Sequence, residues 1–494
     1  MSNESTNIRH AAPAGLLLDS GTRARVWAHL SAIIESYISG VEHRRVTPEL
    51  SPRKIRSLLS ACDFEQPMDP LEAMDFIARS LTDYQLHTAH PRYYGLFNPA
   101  PTTMGIVADA LVAAFNPQMA AWSHSPMAAE IERHLIRSFA GLFGYDPQES
   151  DGTFCSGGAE ANHTALIAAL ARAFPDFSAK GIRALPAQPV FYVSSESHHS
   201  FLKAARFCGI GVEAVHRIDV DRHLKMISGA LTEAIQRDRA TGFAPFLVVA
   251  TAGTTNAGVV DPLAELAAIA AQEKLWYHVD AAWGGAAAMV PELRPLLDGI
   301  SAADSITFDP HKWLSVPMGA GLYLTRHLDI MGRAFGIETA YMPREAAGLD
   351  VIDPHQHTMQ WSRRFIGLKL FLSLLVAGWD GYAAAIRRQT AMGDLLRAEL
   401  RKSGWSIETE TPLPVICFSD PEGADPHTIV MQIVASGEAW ISTTAIRGKA
   451  VLRACITNYR TQPEDIHALV TTLNRTREHL KRDAIRTREG VASA

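Results

Sequence analysis

The chain has 494 residues, of which 47% are apolar, 20% charged and 8% aromatic. This composition supplies a large hydrophobic core and excludes the disordered and fibrous classes of protein. The formal net charge of -6 is small for the length, and basic residues are interspersed with acidic ones, which argues against a nucleic-acid partner. The length predicts more than one compact unit.

The cysteines and the apolar runs are typical of a cytoplasmic protein. The five cysteines are odd in number and widely spaced, without a Cys-x-x-Cys pair, which argues against a disulfide framework and a zinc site. The N-terminal stretch lacks a signal pattern, and the most apolar run, LFLSLLVAGW, is too short to span a bilayer. We therefore expect a cytoplasmic protein without a membrane segment.

The first predicted elements are helices. Apolar residues, among them Val26, Leu30 and Tyr37, recur at helical spacing over residues 22–41, and two proline-punctuated helical stretches follow before His90. We expect residues 1–95 to form a helical N-terminal arm that lies on another part of the protein.

The central part of the chain has the texture of an α/β domain. From about residue 151, apolar β-branched runs alternate with Ala-rich amphipathic segments, which predicts parallel strands joined by crossover helices over residues 96–378. Between two of the strands, Asp261 is predicted to cap a helix that begins with Pro262. The predicted strands are VFYVSS, FLVVAT, LWYHVD, SITF and GLYLT.

After Trp379 the texture changes again. A long helical segment is followed by PVICFSD, a helix over residues 427–436, the paired runs AWISTTAI and VLRACITN, and a last helix from Pro463. This order predicts a smaller α+β domain over residues 379–480, with a charged tail at 481–494.

Polar residues follow several of the predicted strands, at the edge where open α/β sheets bind ligands. In FCSGGAEANHTALIAAL, two glycines precede an Ala-rich helix, so the backbone amides of Gly157, Gly158 and Ala159 suit a phosphate. A Gly-Gly turn into a helix is more often only a turn, so this motif is a weak signal by itself.

Two further polar turns leave alternatives open. SSESHHS places His198 and His199 at a strand end, but neighbouring histidines rarely chelate one metal and no third ligand has a recognisable spacing, so we expect no metal site. TAGTTNAG, from Thr251, suits either a polar turn or a set of hydrogen-bond donors to a ligand.

An acid and a lysine complete the pattern. Asp280 ends the apolar strand of HVDAAWGGAA, where a buried carboxylate needs a partner and the small residues leave room for a flat group. Lys312, in DPHKW, leaves a strand toward the same edge, where desolvation would lower its pKa and favour the neutral amine that attacks an aldehyde. A phosphate site, an acid for a pyridinium nitrogen, a stacking imidazole and this lysine together predict pyridoxal phosphate.

On these motifs the chain resembles the group II pyridoxal-phosphate-dependent amino-acid decarboxylases, which include the aromatic-L-amino-acid, glutamate, histidine and diaminobutyrate decarboxylases. DPHKW with HVDAA upstream is the specific part of the resemblance. The matching stretches, from about His90 to about Thr461, are HPRYYGLFNPAP, SPMAAEIE, SGGAEAN, SHHS, TAGTT, HVDAAWGG, ADSITFDPHKW, SRRFIGLK and VLRACITNYRT.

The resemblance implies a fold-type-I architecture: a helical arm that wraps the partner subunit, a large domain with a mainly parallel seven-stranded sheet, a small α+β domain, and a homodimer with shared active sites. It implies that Lys312 forms the Schiff base, Asp280 pairs with the pyridine nitrogen and His198 stacks on the ring. The implied cofactor-binding residues are Gly158, Ala159, His198, Thr255, Asp280, Ala282, Asp309, His311 and Lys312.

The chain departs from the family pattern at two places. Family decarboxylases usually return a proton from a tyrosine on a mobile loop, but residues 342–361 contain no tyrosine. His355 and His357 are the candidate catalytic donors there, or else exposed bystanders. The family also often has Asn where this chain has Asp309, an acid that would repel the phosphate unless it pairs with a neighbour.

The expected reaction converts an L-amino acid into its amine and carbon dioxide, with an aromatic side chain slightly favoured. The alternatives are an aldehyde-forming oxidative deaminase, a decarboxylase of an acidic or diamino acid, and a non-catalytic relative. The candidate aromatic contacts are Tyr93, Tyr94, Phe97 and Trp122. The candidate polar contacts are Arg92, Asn98 and His124.

Overall fold

The computed structural model describes residues 16–48, 50–342, 345–346 and 348–492, and beyond Asp483 it describes the backbone alone. The chain divides into two compact units, one ending at His90 and one beginning at Pro91. The finer division into domains at 96–378 and 379–480 stays a prediction.

In the unit that ends at His90, three α-helices occupy most of the described residues. The first begins after Asp19, whose carboxylate accepts a hydrogen bond from the Thr22 amide at 3.0 Å. Prolines open the other two, which confirms the prediction of one long helix and two proline-punctuated ones. The helices are α1 (Ser20–Gly40), α2 (Pro52–Ser60) and α3 (Pro70–Tyr84).

Seven strands of the second unit form one sheet in the order β1-β7-β6-β5-β4-β2-β3. Strands β3, β2, β4, β5 and β6 are paired in parallel, whereas β7 runs antiparallel to both β6 and β1. Their bounds are β1 (Asp151–Cys155), β2 (Pro189–Ser194), β3 (Val215–Ile218), β4 (Ala244–Thr251), β5 (Trp276–Asp280), β6 (Ser305–Phe308) and β7 (Gly321–Thr325).

The mainly parallel sheet is confirmed, with two corrections. GLYLT, grouped with the parallel strands from its sequence, runs antiparallel because residues 309–320 contain no helix to carry a crossover connection. Strands β1 and β3 were not among the predicted runs. DGTFC and VHRI are short and rich in polar residues or glycine, so they lack the apolar β-branched pattern of a buried strand.

Both faces of the sheet are covered. Along β2, Val190 and Tyr192 belong to one hydrophobic cluster, and Phe191 and Val193 belong to another. This alternation places a core on each side of the sheet. The α-helices of the second unit before residue 340 are α4 (Thr103–Phe115), α5 (Pro126–Leu142), α6 (Gly158–Ala173), α7 (Phe177–Lys180), α8 (Ser200–Phe207), α9 (Ser228–Ala240), α10 (Leu263–Gln272) and α11 (Ile330–Phe335).

The predicted cap of helix α10 is wrong. Asp261 turns away from the helix, and its carboxylate accepts hydrogen bonds from the amides of Thr251 at 2.8 Å and Met226 at 2.9 Å. These buried amides need an acceptor, so the carboxylate satisfies them instead of the helix start. Pro262 precedes the helix, which begins at Leu263.

The C-terminal elements follow the predicted order. A four-stranded antiparallel sheet has the order β10-β11-β9-β8. The last helix continues through the predicted charged tail as far as Ala492. The bounds are α12 (Leu368–Lys402), β8 (Ser406–Ile407), β9 (Val415–Ser419), α13 (Pro426–Ser436), β10 (Ser442–Ile446), β11 (Lys449–Cys455) and α14 (Pro463–Ala492).

Helix α12 is the one described helix with the length and composition to cross a membrane. Gly378, at φ 64° and ψ 177°, interrupts it. The apolar part before Gly378 spans about 15 Å at the rise of an α-helix, half of the roughly 30 Å hydrocarbon thickness of a bilayer. Lys369 is buried in this part, where its ammonium lies 3.1 Å from the Met318 carbonyl oxygen.

Candidate active site

A small cavity lies at the carboxyl edge of the seven-stranded sheet. Thr251 ends β4, Asp280 ends β5, and Lys312 follows β6, so three neighbouring parallel strands direct polar groups to one place. The lining residues are Gly158, Ala159, Asn162, His198, Thr251, Gly253, Thr255, Asp280, Ala282, Trp283, Asp309 and Lys312.

Asp280 is held at the floor of this cavity. Its side chain is buried, and its Oδ2 accepts a hydrogen bond from the Asn162 amide nitrogen at 2.8 Å. Its Oδ1 accepts from the backbone amide of Ala282 at 3.1 Å. Two donors therefore fix the plane of the carboxylate, which suits a partner that must be met in one orientation.

Lys312 is paired with Asp309. The lysine ammonium lies 3.1 Å from Asp309 Oδ2, and the acid is 2% exposed. The other carboxylate oxygen, Oδ1, is buried and has no hydrogen-bond partner among the described residues. Asp309 was expected to repel a phosphate unless it pairs with a neighbouring residue. That neighbour is Lys312, three residues later in the chain.

Glycines open the end of the cavity at helix α6. The helix begins at Gly158, after Gly157, with no side-chain cap. A Cβ atom on Gly158 would lie 2.7 Å from Asp309 Oδ2, so a side chain there would clash. Because no side chain covers the start of α6, its first backbone amides are available to bind an anion. The positive end of the helix dipole favours the same ligand.

His198 lies in the cavity as a neutral ring. Its Nδ1 accepts a hydrogen bond from the Ser200 amide at 3.2 Å, so the ring proton is on Nε2. Burial lowers the pKa of His198 below its usual value, against the opposing effect of Asp280. A neutral flat ring is suited to cover one face of an aromatic ligand.

His311 lies beside the cavity, outside its lining. It is buried, and its Nδ1 donates to the Ala320 carbonyl oxygen at 2.6 Å. Burial lowers the pKa of this imidazole. A Cβ atom on Gly157 would lie 3.3 Å from His311 Cε1, which places the ring close to the glycine turn before helix α6.

The two histidines of the tyrosine-free segment lie elsewhere. His355 is 4% exposed, with Nδ1 3.1 Å from the Ala120 carbonyl oxygen and its ring 4.8 Å from that of Trp361. His357 Nδ1 lies 2.7 Å from Asp151 Oδ2. The alternative of exposed bystanders fits neither side chain, since His355 is buried and His357 is half-buried, and neither lines the cavity around Lys312. Their catalytic role stays a prediction.

The candidate aromatic contacts separate into different surroundings. Phe97 packs on the cavity wall, with its ring 4.7 Å from that of Trp283. Tyr94 is a core residue whose hydroxyl donates to the Asp465 carbonyl oxygen at 2.9 Å. Trp122 donates to Glu130 at 2.9 Å beside a different cavity.

The candidate polar contacts lie away from the lining as well. Arg92 pairs with Asp465 at 3.0 Å, and Asn98 accepts a hydrogen bond from the Tyr93 hydroxyl at 2.8 Å. His124 is exposed in the short turn before helix α5. Among the described residues, no three His, Cys, Asp or Glu side chains are grouped as metal ligands.

Several lining residues were not identified from the sequence. Asn162 lies one helical turn after Gly158 and therefore on the same face of α6, a spacing that could have indicated it. Trp283 stacks on Trp313, with ring centroids 4.9 Å apart and planes at 17°. Gly253 adopts φ +96° against Trp283, and only the fold brings these two together.

A lysine, an acid and a helix N-terminus at the carboxyl edge of a mainly parallel sheet define a pyridoxal-phosphate enzyme of fold type I. Comparison with known proteins agrees. The model of the pyridoxal-dependent decarboxylase conserved domain matches residues 52–420, and the chain belongs to this family of amino-acid carboxy-lyases.

Curated relatives cover most of the chain. An aromatic-L-amino-acid decarboxylase of Bacillus atrophaeus is 32% identical over 447 residues, which are 88% of this chain and 91% of that protein. The acidic amino acid decarboxylase GADL1 of Xenopus tropicalis is 31% identical, with 76% and 73% covered. The mouse cysteine sulfinic acid decarboxylase is 30% identical, with 74% of each chain covered.

Solved structures show the same fold. Apo mouse CSAD superposes with a TM-score of 0.85 at 26% identity, over 92% of this chain and 99% of that one. Oryza sativa TDC with PLP and tryptamine superposes with a TM-score of 0.88 at 24% identity, over 94% and 99%.

Pyridoxal phosphate, the cofactor of the family, fits the residues that are present. Asp280 is a fixed buried acid at one end of the cavity, and the uncapped start of α6 is an anion site at the other. Lys312 follows β6, which lies in the sheet between β5, the strand that ends at Asp280, and β1, the strand that precedes α6. The small side chain of Ala282 leaves room for a flat ring.

Proposed function

We propose that this enzyme decarboxylates an L-amino acid with an aromatic side chain, giving the amine and carbon dioxide. The observation that carries the proposal is the contact of Phe97 with Trp283, which puts aromatic surface at the wall of the cofactor cavity. Aromatic pairs in offset or tilted contact contribute about 0.5–1.5 kcal/mol beyond the area that they bury, which favours an aromatic side chain at this wall.

The backbone of Phe97 supports a functional position for this ring. Its φ is +61°, a conformation that bulky residues rarely adopt and that costs on the order of 1–3 kcal/mol. The Arg453 guanidinium lies 5.0 Å from the centre of the ring. The ring thus contacts both a cation and Trp283 at a cost in backbone free energy, which favours a role beyond core packing.

An acidic side chain finds less support. Of the described residues that line the cavity, Lys312 is the only lysine or arginine, and it is the residue that we propose to bind the cofactor. A substrate carboxylate beyond the one that is lost would need a second cation to offset its desolvation. An acidic substrate is the first alternative, because relatives of this chain are named as decarboxylases of acidic amino acids and of cysteine sulfinic acid.

When bound, pyridoxal phosphate accepts the electron pair of the bond from which carbon dioxide leaves. We propose that Asp280 holds a proton on the pyridine nitrogen and that Lys312 anchors the cofactor until the substrate amine replaces it. His198 would cover one face of the ring and Ala282 the opposite face, with Thr255 near the ring and the substrate carboxylate. The amides of Gly158 and Ala159 would hold the phosphate.

A second candidate function is oxidative deamination, and the tyrosine-free segment favours it. Residues 342–361 have no tyrosine to return a proton to the α-carbon, and His355 and His357 lie off the cavity of their own chain. If the proton is not returned, one amino acid, one O2 and one water give the aldehyde, carbon dioxide, ammonia and hydrogen peroxide.

We also propose a homodimer in the cytoplasm. Helix α4 packs on α12, and together they expose large apolar side chains, with Phe115 82%, Val376 69% and Leu375 65% exposed. An apolar surface of this kind is typical of an interface. The five cysteines are all free, as expected in a reducing compartment.

The test is a panel of L-amino acids incubated with the purified enzyme and pyridoxal phosphate. Amine, aldehyde and peroxide are measured in the same samples. We expect amine from aromatic substrates, with the turnover of glutamate and cysteine sulfinate lower by about 10²-fold or more. Turnover of an acidic substrate above that of every aromatic one contradicts the proposed class.

A pair of variants at residue 97 tests whether Phe97 determines the preference for aromatic substrates. Phe97→Tyr retains an aromatic ring and should keep the order of preference among substrates. Phe97→Ser removes the ring and should raise KM for aromatic substrates about 10-fold, with a smaller change for alanine. Equal changes for both substrates would place Phe97 in the core alone.

A further inference from the structure

Asp280 is the end of a buried chain of hydrogen bonds. The Trp276 indole nitrogen lies 2.9 Å from Ser305 Oγ, which lies 2.8 Å from His278 Nδ1. His278 Nε2 lies 3.3 Å from Asn162 Oδ1, and Asn162 Nδ2 lies 2.8 Å from Asp280 Oδ2. We call these five residues the Asp280 chain.

The sheet itself builds this chain. Trp276, His278 and Asp280 are alternate residues of β5, so their side chains lie on one face. Ser305 is the partner of His278 in the pairing of β5 with β6. Asn162 reaches the same face from α6. His278 and Ser305 are fully buried and Asn162 is 1% exposed, so water does not compete for these hydrogen bonds.

The chemistry of the groups gives the chain one direction. The indole N–H only donates, so Ser305 Oγ accepts and its own hydrogen is available to His278 Nδ1. The Asn162 amide nitrogen donates to Asp280 and to Ser200 Oγ at 3.0 Å, so its carbonyl oxygen faces His278. A carbonyl only accepts, and therefore the imidazole proton is on Nε2.

His278 holds this tautomer as a neutral ring. Burial lowers its pKa to about 4, so it carries a single proton near neutral pH. Thr307 Oγ1, 3.3 Å from Nε2, is a second acceptor for the same proton. A reversed Asn162 amide would put its oxygen against the Asp280 carboxylate and its NH2 against the Nε2 proton, so Asp280 and His278 together disfavour that orientation.

Buried polar groups need partners in any protein, and the chain could exist for that reason alone. The position of its last donor favours a functional role as well. Asn162 donates to Asp280, the carboxylate that we propose to pair with the pyridine nitrogen. We propose that Asn162 is a positioning residue for Asp280 and that His278 sets the orientation of Asn162. The proposal rests on the function described above only in its use of pyridoxal phosphate, whatever the substrate.

The first experiment measures pyridoxal phosphate affinity by titrating the apoenzyme and following the absorbance of the bound cofactor. Asn162→Ala should weaken affinity about 10- to 100-fold, the scale of one hydrogen bond to a charged group. Ser200→Ala removes the other acceptor of the Asn162 amide and should change affinity less than about 3-fold. Unchanged affinity in Asn162→Ala overturns the proposal.

A double-mutant cycle separates positioning from folding. If Asn162 acts through Asp280, then Asn162→Ala has little further effect on cofactor affinity in an Asp280→Asn background. If its role is structural, the two effects add in free energy, and the proposal fails. Neither result depends on which amino acid is the substrate, so it is distinct from the substrate test.

Matched variants of His278 remain informative if Asn162→Ala does not fold. His278→Gln places an amide N–H near the position of Nε2 and should keep affinity within about 3-fold of the parent. His278→Asn reaches only the position of Nδ1 and should weaken affinity about 10-fold, since Asn162 loses the partner that orients it. Equal affinities in the two variants would contradict the assigned direction of the chain.

Discussion

The carboxyl edge around Asp280 and the segment 337–361 differ in how their side chains are held. At the edge, Asp280, Asn162 and His278 are buried and are joined to one another by hydrogen bonds. In the segment, large apolar side chains are exposed, with Tyr341 at 74% and Ile337 at 59%. The proposed cofactor site is therefore built into the sheet, whereas the proposed proton donors lie in a segment whose described residues expose large apolar side chains.

The largest expected effect comes from the lysine. Lys312→Ala removes the only amine among the described residues that line the cavity, so covalent attachment of pyridoxal phosphate and catalysis should both be lost. The visible absorbance of the bound cofactor and amine formation are the measurements. A variant that keeps a visible band but no activity, or activity without a band, would show that another amine takes the role.

Asp280→Asn comes next. The amide cannot hold the pyridine proton by charge, so kcat should fall about 10²- to 10³-fold, the range for loss of one electrostatic contact in an active site. Steady-state kinetics at saturating cofactor give kcat. As a control, Asp261→Asn changes a buried carboxylate that does not line the cavity, and its effect should appear in stability first.

The segment 337–361 is tested by its two histidines. If one of them returns the proton, His355→Gln or His357→Gln should lower the yield of amine and raise that of aldehyde and peroxide, by about 10-fold in the ratio. Product ratios in air and under argon are the measurement. If both variants keep the product ratio of the parent, proton return comes from elsewhere and the segment is structural.

Asp309→Asn tests the acid beside the phosphate site. Removal of a carboxylate close to the phosphate reduces repulsion in a poorly solvated place, so the affinity for pyridoxal phosphate should rise about 3- to 10-fold. Equilibrium titration of the apoenzyme gives the value. Weaker binding instead would mean that the contact between Asp309 and Lys312 at 3.1 Å prepares the lysine.

The last prediction concerns the pH dependence of stability at the carboxyl edge of the sheet. The pKa of His278 falls from 6.5 to about 4 on burial, so the unfolded chain binds the extra proton between these values and stability falls as pH drops through this range. The loss is about 3 kcal/mol at 1.36 kcal/mol per pH unit. Urea unfolding at both ends of the range should show a smaller loss in His278→Gln than in the parent.

Much of the site could be predicted from its short motifs. Asp280, Lys312 and His198 follow strands whose apolar runs are clear, and the Gly-Gly start of α6 is local in sequence. Asn162 was not identified: its spacing from Gly158 places it on the same face of α6, but the acid that it contacts lies 118 residues later in the chain. The sequence left open whether His355 and His357 are proton donors or exposed bystanders, since a polar loop sequence does not report the Ala120 carbonyl and the Asp151 carboxylate that contact them.

The sequence by itself indicated the class of the enzyme and the candidate residues of its site, because motifs such as DPHKW and HVDAA, which carry the resemblance to the family, are local in the chain. The tertiary structure decided the antiparallel direction of β7, the partner of Asp309 and the direction of hydrogen bonding toward Asp280. These depend on the packing of residues far apart in the chain, such as Asn162 against His278, which no local pattern encodes.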